Sequence, residues 1–251
     1  GIEEPEGDRY DAIVIDVDGT LLDSEKQISE KTVETIVDAQ KRGKKIAIAS
    51  GRSIAGIRKN VAKIQLEKYG GYVIAYNGTT VVNCKTGECI YNQMVPGEIL
   101  SQVYNEAVKS GVSIAVYNDA AKEIIVGNGL NKYVEFDAVA CDVAVKESND
   151  FVKTVNFGFN KILLSGEPDN MKNVEKHMLE MFGDKVNVFR SDPHFVELLP
   201  KYVDKGVAVE KLMRYLGINR EKVICVGDSI NDMSMLRYAG MGVAMGNAQD
   251  K

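Results

Sequence analysis

The 251-residue sequence has no excess of positive charge, no long hydrophobic run and no signal-like start. Its formal net charge is -5 at pH 7, which argues against nucleic acid as the main partner. No stretch approaches the roughly eighteen consecutive apolar residues that a membrane span needs. The first residues, GIEEPEGDRYD, are acidic and polar, unlike a signal peptide or a basic presequence. These features predict a cytoplasmic protein that binds neither membrane nor nucleic acid.

Cysteine and histidine are too few and too scattered to form a recognisable metal motif. The four cysteines are Cys84, Cys89, Cys141 and Cys225, and no two of them form a CxxC pair. We interpret them as reduced thiols of a cytosolic protein, with a zinc site or a disulfide as less favoured alternatives. Of the two histidines, His177 and His194, we expect one on the surface and one in a packing position, rather than as ligands.

Strand and helix patterns alternate at both ends of the chain. Short apolar runs such as DAIVID, residues 11–16, are typical of fully buried parallel strands. Segments with helical periodicity lie between these runs, as in residues 29–43, where Ser29 is the expected N-cap. This alternation predicts a parallel sheet covered by helices on both faces.

The middle of the sequence has a different pattern. Paired short strand candidates, VSIAVY with EIIVGN and NVFRS with HFVELLP, accompany separate helices and predict a small α+β insert with an antiparallel sheet. We place this insert at residues 84–198, between the two parts of the core at residues 8–83 and 199–251. The predicted fold class is therefore α/β: a Rossmann-like parallel-sheet core with an inserted α+β domain.

Four polar clusters lie where predicted strands end or predicted helices begin. They are DVDGT at 16–20, SGR at 50–52, Lys205, and GDSIND at 227–232. In an open α/β sheet, ligands bind outside the carboxyl ends of the strands. We therefore expect these four clusters to converge on one ligand site.

Asp16 and Asp18 follow a strong apolar run and would share one face of a strand. Buried like charges persist only with compensation, which a divalent cation supplies. Oxygen ligands suit magnesium, so we expect it on the carboxylates of Asp16 and Asp228 and the backbone carbonyl of Asp18. Ser50 and Lys205 would then hold phosphate oxygens. One aspartate of the first pair could attack phosphorus, and the other could act as general acid and base.

These motifs resemble those of the haloacid dehalogenase (HAD) superfamily of phosphatases, and more closely those of its Cof-type branch. The resemblance rests on DVDGTLL at 16–22, SGR at 50–52, NG at 77–78, DKG at 204–206 and GDSINDMSML at 227–236. Their order and spacing match over nearly the whole chain. The resemblance implies that the insert is a C2-type cap. It also implies a magnesium-dependent phosphatase that hydrolyses small phosphomonoesters through an aspartyl phosphate.

The resemblance further implies a role for each residue of the motifs. Asp16 would be the nucleophile, Asp18 the general acid and base, and Asp228 a magnesium ligand. Asp232 would support the metal or the lysine from the next layer of side chains. The phosphate would be surrounded by Thr20, Ser50, Gly51, Lys205 and Asn231. Candidate substrate contacts are Arg52, Asn77 and Gly78, although a helix-start arginine and a hairpin turn explain these residues equally well.

The same residues also allow two other functions. A phosphomutase or phosphotransferase would use the same aspartyl phosphate with a different acceptor. A non-catalytic, phosphorylation-gated receiver would need an aspartate, magnesium and a lysine, but neither Asp18 as acid and base nor the long insert. We favour hydrolysis because the closest resemblance is to hydrolases. The expected partner is a small phosphorylated molecule, with residues 117–133 as the candidate substrate-facing loop.

Overall fold

The computed structural model describes residues 9–246. The strands are β1 (Ala12–Asp16), β2 (Lys45–Ala49), β3 (Tyr72–Ala75), β4 (Thr80–Asn83), β5 (Cys89–Asn92), β6 (Ser113–Asn118), β7 (Glu123–Gly127), β8 (Ala144–Glu147), β9 (Ile162–Ser165), β10 (Val186–Asp192), β11 (Phe195–Pro200), β12 (Val223–Gly227) and β13 (Met241–Ala244). The α-helices are α1 (Glu30–Lys41), α2 (Arg58–Lys63), α3 (Leu66–Tyr69), α4 (Leu100–Ser110), α5 (Lys132–Ala140), α6 (Phe151–Thr154), α7 (Pro168–Phe182), α8 (Lys205–Leu216) and α9 (Met233–Tyr238).

The core sheet has the strand order β13-β12-β1-β2-β3-β4-β5. Neighbouring strands from β13 to β3 are parallel, whereas β4 and β5 add an antiparallel edge. The chain runs outward from β1 through β2 to β3 and later returns to β12, on the other side of β1. The strand order therefore reverses at β1 and β12, where α/β folds of this kind bind their ligands.

The inserted unit has its own sheet, in the order β10-β11-β9-β6-β7-β8. Both predicted pairs, β6 with β7 and β10 with β11, are antiparallel partners. Only β7 and β8 pair in parallel among the described strands of this sheet. The fold-class prediction, a Rossmann-like parallel-sheet core with an inserted α+β domain, is confirmed.

The chain separates into two compact units, one up to Asn92 and from Val203 onward, the other Gln93–Tyr202. We expected the insert to begin at residue 84, but β5 pairs with β4 and thereby stays with the core sheet. We expected it to end at residue 198, but Pro200 pairs with Val186 in the insert's sheet. The expected outer limits at residues 8 and 251 lie outside the described residues.

Each unit buries a hydrophobic cluster of its own. Strands β1, β2, β3 and β12 pack against α8 in the core unit, through residues such as Val14, Ile74 and Leu212. The insert buries a larger cluster between its sheet and helices α4, α6 and α7. Two independent cores explain why the insert can interrupt the core sheet without breaking it. Within residues 9–246, no helix is both long and apolar enough to cross a bilayer.

Local sequence sets where the helices near the strand ends begin. The Ser29 side chain accepts a hydrogen bond from the Thr32 N–H and caps α1, as its position in the sequence predicts. The Asp204 side chain accepts from the Val207 N–H at 2.8 Å and caps α8. Because of this cap, α8 begins at Lys205. The lysine side chain therefore lies next to the carboxyl edge of the core sheet.

Candidate active site

Asp16 and Asp228 come together where the strand order reverses. Asp16 is the last residue of β1, and Asp228 follows the last residue of the neighbouring parallel strand β12. Carboxylate oxygens of Asp16, Asp228 and Asp232 all lie within 4.8 Å of one another. The sequence therefore predicts this convergence, although more than two hundred residues separate the two strand ends.

Lys205 joins two of these carboxylates in a buried network. Its Nζ donates to Asp16 Oδ1 at 2.7 Å and to Asp232 Oδ1 at 2.6 Å. The relative exposures of the three residues are 1% for Lys205, 5% for Asp16 and 0% for Asp232. Because a buried ammonium group needs partners, these contacts account for the placement of a lysine in the core. The lysine thus holds Asp16 from one side and leaves its Oδ2 for other contacts.

Burial, together with the nearby carboxyl groups of Asp228 and Asp232, raises the pKa of Asp16 to about 8 despite the opposing charge of Lys205. Three carboxylates here face one ammonium group, so two negative charges remain when all are ionised. A divalent cation would balance that charge, and carboxylate oxygens are the ligands that magnesium prefers. The side chains present therefore fit a magnesium ion.

The donors available for that ion are not equivalent. Both oxygens of Asp232 are already engaged: Oδ1 by Lys205, and Oδ2 by the backbone N–H groups of Asp228 and Ser229 at 3.0 and 3.2 Å. Although burial opposes ionisation, Lys205 and these N–H groups lower the pKa of Asp232. Asp232 thus fixes the lysine and the loop after β12. Asp16 and Asp228 are better placed to bind a cation.

Asp18 lies in a different environment from Asp16. Its carboxylate accepts from Arg52 through Nε at 3.0 Å and Nη2 at 2.7 Å, and from Lys26 Nζ at 3.2 Å. Although partial burial opposes ionisation, the hydrogen bond and charge of Arg52, together with Lys26, lower the pKa of Asp18. Arg52, a candidate substrate contact from the sequence, is therefore a partner of Asp18. Lys26 was missed, because an exposed loop lysine eight residues away carries no sequence signal.

The loop that carries these aspartates requires glycine at position 19. Gly19 has a φ of +80°, in the left-handed region that glycine favours. A Cβ atom there would lie 1.9 Å from Asp228 Oδ2. The backbone can therefore approach the Asp228 carboxylate only without a side chain. Next to it, the Thr20 hydroxyl lies 3.4 Å from Asp16 Oδ2, as expected for a residue on the same loop.

Ser50 and its neighbours close the site at the end of β2. Ser50 is 1% exposed, and its hydroxyl accepts from the Arg52 N–H at 2.9 Å. The turn that follows β3 lies against it, with the Asn77 N–H donating to the Ser50 carbonyl at 2.9 Å. Asn231 Nδ2 in turn donates to Asn77 Oδ1 at 2.9 Å. The turn joins antiparallel strands β3 and β4, so it is a hairpin and also belongs to the site.

The chain is similar to known proteins over most of its length. A family model described as haloacid dehalogenase-like hydrolase matches residues 13–251. A haloacid dehalogenase-like hydrolase from Bacteroides thetaiotaomicron, solved by crystallography, is 37% identical with a TM-score of 0.92, and the match covers 96% of this chain and 90% of that one.

Two further relatives have names that state an activity. A solved HAD subclass IIB sugar phosphatase is 28% identical with a TM-score of 0.76, covering 96% of this chain and 89% of that one. The HMP-PP phosphatase of Escherichia fergusonii is 28% identical over 237 residues, which are 93% of this chain and 83% of that protein. The similarity thus spans both units of the chain.

Proposed function

Because the chain belongs to the haloacid dehalogenase-like hydrolase family, we propose that it is a magnesium-dependent phosphatase acting on small phosphomonoesters through an aspartyl phosphate. One observation carries this proposal: a buried Asp16 held by Lys205 beside Asp228 at the strand-order reversal. This arrangement combines a carboxylate nucleophile, the ammonium group of Lys205 and oxygens that could bind a metal ion, and phosphoryl transfer needs all three. The names of the sugar phosphatase and the HMP-PP phosphatase support small phosphorylated substrates.

In the first step, an Asp16 carboxylate oxygen attacks phosphorus and the bond from phosphorus to the leaving oxygen breaks. Asp18 donates a proton to that leaving oxygen. In the second step, Asp18 accepts a proton from water, which attacks phosphorus, and the bond between phosphorus and Asp16 breaks. Inorganic phosphate leaves, and both carboxyl groups regain their starting states.

Asp16, Asp228 and the backbone carbonyl of Asp18 would hold the magnesium ion. When bound, the ion neutralises carboxylate charge and stabilises negative charge on the phosphate oxygens. Lys205 stabilises the same charge from the protein interior. The remaining phosphate contacts in this proposal are Thr20, Ser50, Gly51 and Asn231.

Arg52 keeps Asp18, the proposed general acid and base, ionised before substrate binds. Its two hydrogen bonds to Asp18 favour the ionised carboxylate, which is the form that activates water in the second step. The first step needs the protonated form. We therefore expect substrate binding to loosen the pair between Arg52 and Asp18, so that Asp18 takes up a proton from solvent before the leaving group departs.

The test is a screen of metabolite phosphates, with and without magnesium, on wild type and Asp16→Asn. We expect magnesium-dependent phosphate release from wild type and a loss of at least about a thousandfold in the variant, because the nucleophile is gone. Asp38→Asn is the matched control, since Asp38 is exposed on α1 and should leave turnover unchanged.

The same screen separates the alternatives. Undiminished turnover in Asp16→Asn would disprove the aspartyl-phosphate mechanism. Transfer of phosphate to a second hydroxyl, rather than release to water, would indicate a phosphomutase or phosphotransferase. Stable phosphorylation of Asp16 with no turnover across the panel would indicate a receiver.

A further inference from the structure

The hairpin turn between β3 and β4 has an unusual backbone. Tyr76 and Asn77 have φ angles of +47° and +59°, and Gly78 follows at +97°. Two consecutive non-glycine residues in the left-handed region are uncommon and cost free energy. Such a conformation persists only where the surrounding structure holds it, so its contacts indicate what the turn is for.

The turn is attached to three parts of the proposed phosphate site. Its Tyr76 N–H donates to the Arg52 carbonyl, and its Asn77 N–H donates to the Ser50 carbonyl, each at 2.9 Å. A Cβ atom on Gly78 would lie 2.2 Å from the carbonyl oxygen of Asp204, the residue that caps α8 before Lys205. The turn therefore packs directly against the segments that carry Ser50 and Lys205.

The third attachment is through a side chain. Asn77 Oδ1 accepts from Asn231 Nδ2 at 2.9 Å, across 154 positions of the sequence. Asn231 is otherwise exposed in the short turn before α9, so little packing fixes its carboxamide. One of the two Nδ2 hydrogens is used by Asn77, and the other remains for a ligand. The orientation of the Asn231 amide thus depends on Asn77.

We propose that Asn77 is a positioning residue for phosphoryl transfer: it holds the Asn231 carboxamide so that its second N–H donates to the phosphate. This role rests on the proposed function and assigns Asn77 an indirect part, in place of a substrate contact. It also explains why an asparagine occupies position 77. Asparagine tolerates left-handed backbone better than most residues, and it supplies the acceptor that Asn231 needs.

The variant Asn77→Gly distinguishes the role of the backbone from that of the side-chain carboxamide. Glycine adopts the left-handed conformation freely, so this variant removes only the side chain. The matched control is Gln65→Gly, between α2 and α3, where Gln65 has a φ of +58°. Both variants replace a polar residue at positive φ with glycine. Only one of them touches Asn231.

The experiment measures kcat, KM and Tm with 4-nitrophenyl phosphate and magnesium, and inhibition by inorganic phosphate. We expect Asn77→Gly and Asn231→Ala each to lower kcat/KM about tenfold and to weaken inhibition by phosphate, since each loses one oriented hydrogen bond. The double variant should fall no further than Asn231→Ala alone, because Asn77 acts through Asn231. Gln65→Gly should keep wild-type kinetics.

Two results would overturn the role of Asn77. One is wild-type kcat/KM and phosphate inhibition in Asn77→Gly. The other is multiplicative loss in the double variant, which would show that the two asparagines act independently. A wild-type protein without magnesium-dependent phosphate release would instead overturn the proposed function, and the positioning role with it.

Discussion

At the scale of single residues, Asp16 and Asp18 show how environment differentiates identical side chains. They are two positions apart, yet the Asp16 side chain is 7% exposed and bound to Lys205, whereas the Asp18 side chain is 41% exposed and bound to Arg52 and Lys26. Burial raises the pKa of the first, and the cations lower the pKa of the second. The sequence predicted distinct roles for the pair, but Arg52 and Lys26 as the partners of Asp18 come from the fold alone.

The cysteines allow a prediction at the same scale. Burial, together with the negative charge of Glu67 near Cys84 and of Asp232 near Cys225, raises the pKa of each thiol to about 12. Because the thiolate is the reactive form, both thiols should stay protonated and unreactive at pH 8. Cys89 is exposed, so we expect iodoacetamide at pH 8 to modify it first.

Mass spectrometry of the peptides would follow this labelling. Cys89→Ser should remove the fast reaction and leave the others unchanged. Since ionisation near a pKa of 12 increases about tenfold per pH unit below it, labelling of Cys84 should accelerate steadily between pH 8 and 10. Equal rates for Cys84 and Cys89 at pH 8 would contradict the prediction.

At the scale of elements, the periodicity of apolar residues does not reveal the break between α2 and α3. Residues 53–71 have apolar positions at helical spacing, which suggests one helix. The structure instead has two short helices separated by Ile64 and Gln65, and the φ of Gln65 is +58°. Ile64 and Leu66 on either side are both fully buried. Burial of both side chains favours the break, and a pattern of apolar positions does not reveal it.

A buried ion pair joins two elements of the insert. Lys161, just before β9, lies with its Nζ 2.7 Å from Glu197 of β11, and the two side chains are 8% and 12% exposed. Although burial alone would lower the pKa of Lys161, the neighbouring Glu197 raises it above its ordinary value, so Lys161 is charged at neutral pH. We expect Lys161→Met to lower the free energy of unfolding by about 3–5 kcal/mol, because Glu197 would be left buried without a partner.

Urea denaturation at pH 7 would measure this loss. The double variant Lys161→Met, Glu197→Leu should recover most of it, since no buried charge remains. Lys109→Met is the control: its pair with Glu106 leaves the lysine 72% exposed, and breaking it should cost less than about 1 kcal/mol. A loss in Lys161→Met as small as that of the control would show that the pair is well solvated.

At the scale of the whole molecule, the surplus of negative charge among Asp16, Asp228 and Asp232 leads to a prediction about magnesium. A ligand that binds only the folded state raises its stability with concentration, by about 1.4 kcal/mol for each tenfold excess over the dissociation constant. We therefore expect magnesium to raise the Tm measured by calorimetry, and EDTA to reverse the increase. Asp228→Asn should abolish the shift, whereas Asp38→Asn should keep it.

Local patterns in the sequence suffice to predict the alternation of strands and helices at both ends of the chain, the insert between them, and the motifs that contain Asp16, Ser50, Lys205 and Asp228. These follow from local patterns: apolar runs, helix caps and polar residues at strand ends. Contacts between distant segments set the pairing of Arg52 with Asp18 and the contact of Asn77 with Asn231. The physical reason is that parallel strands are joined by long crossovers, so residues that meet at the edge of the sheet are distant in the chain and share no local pattern.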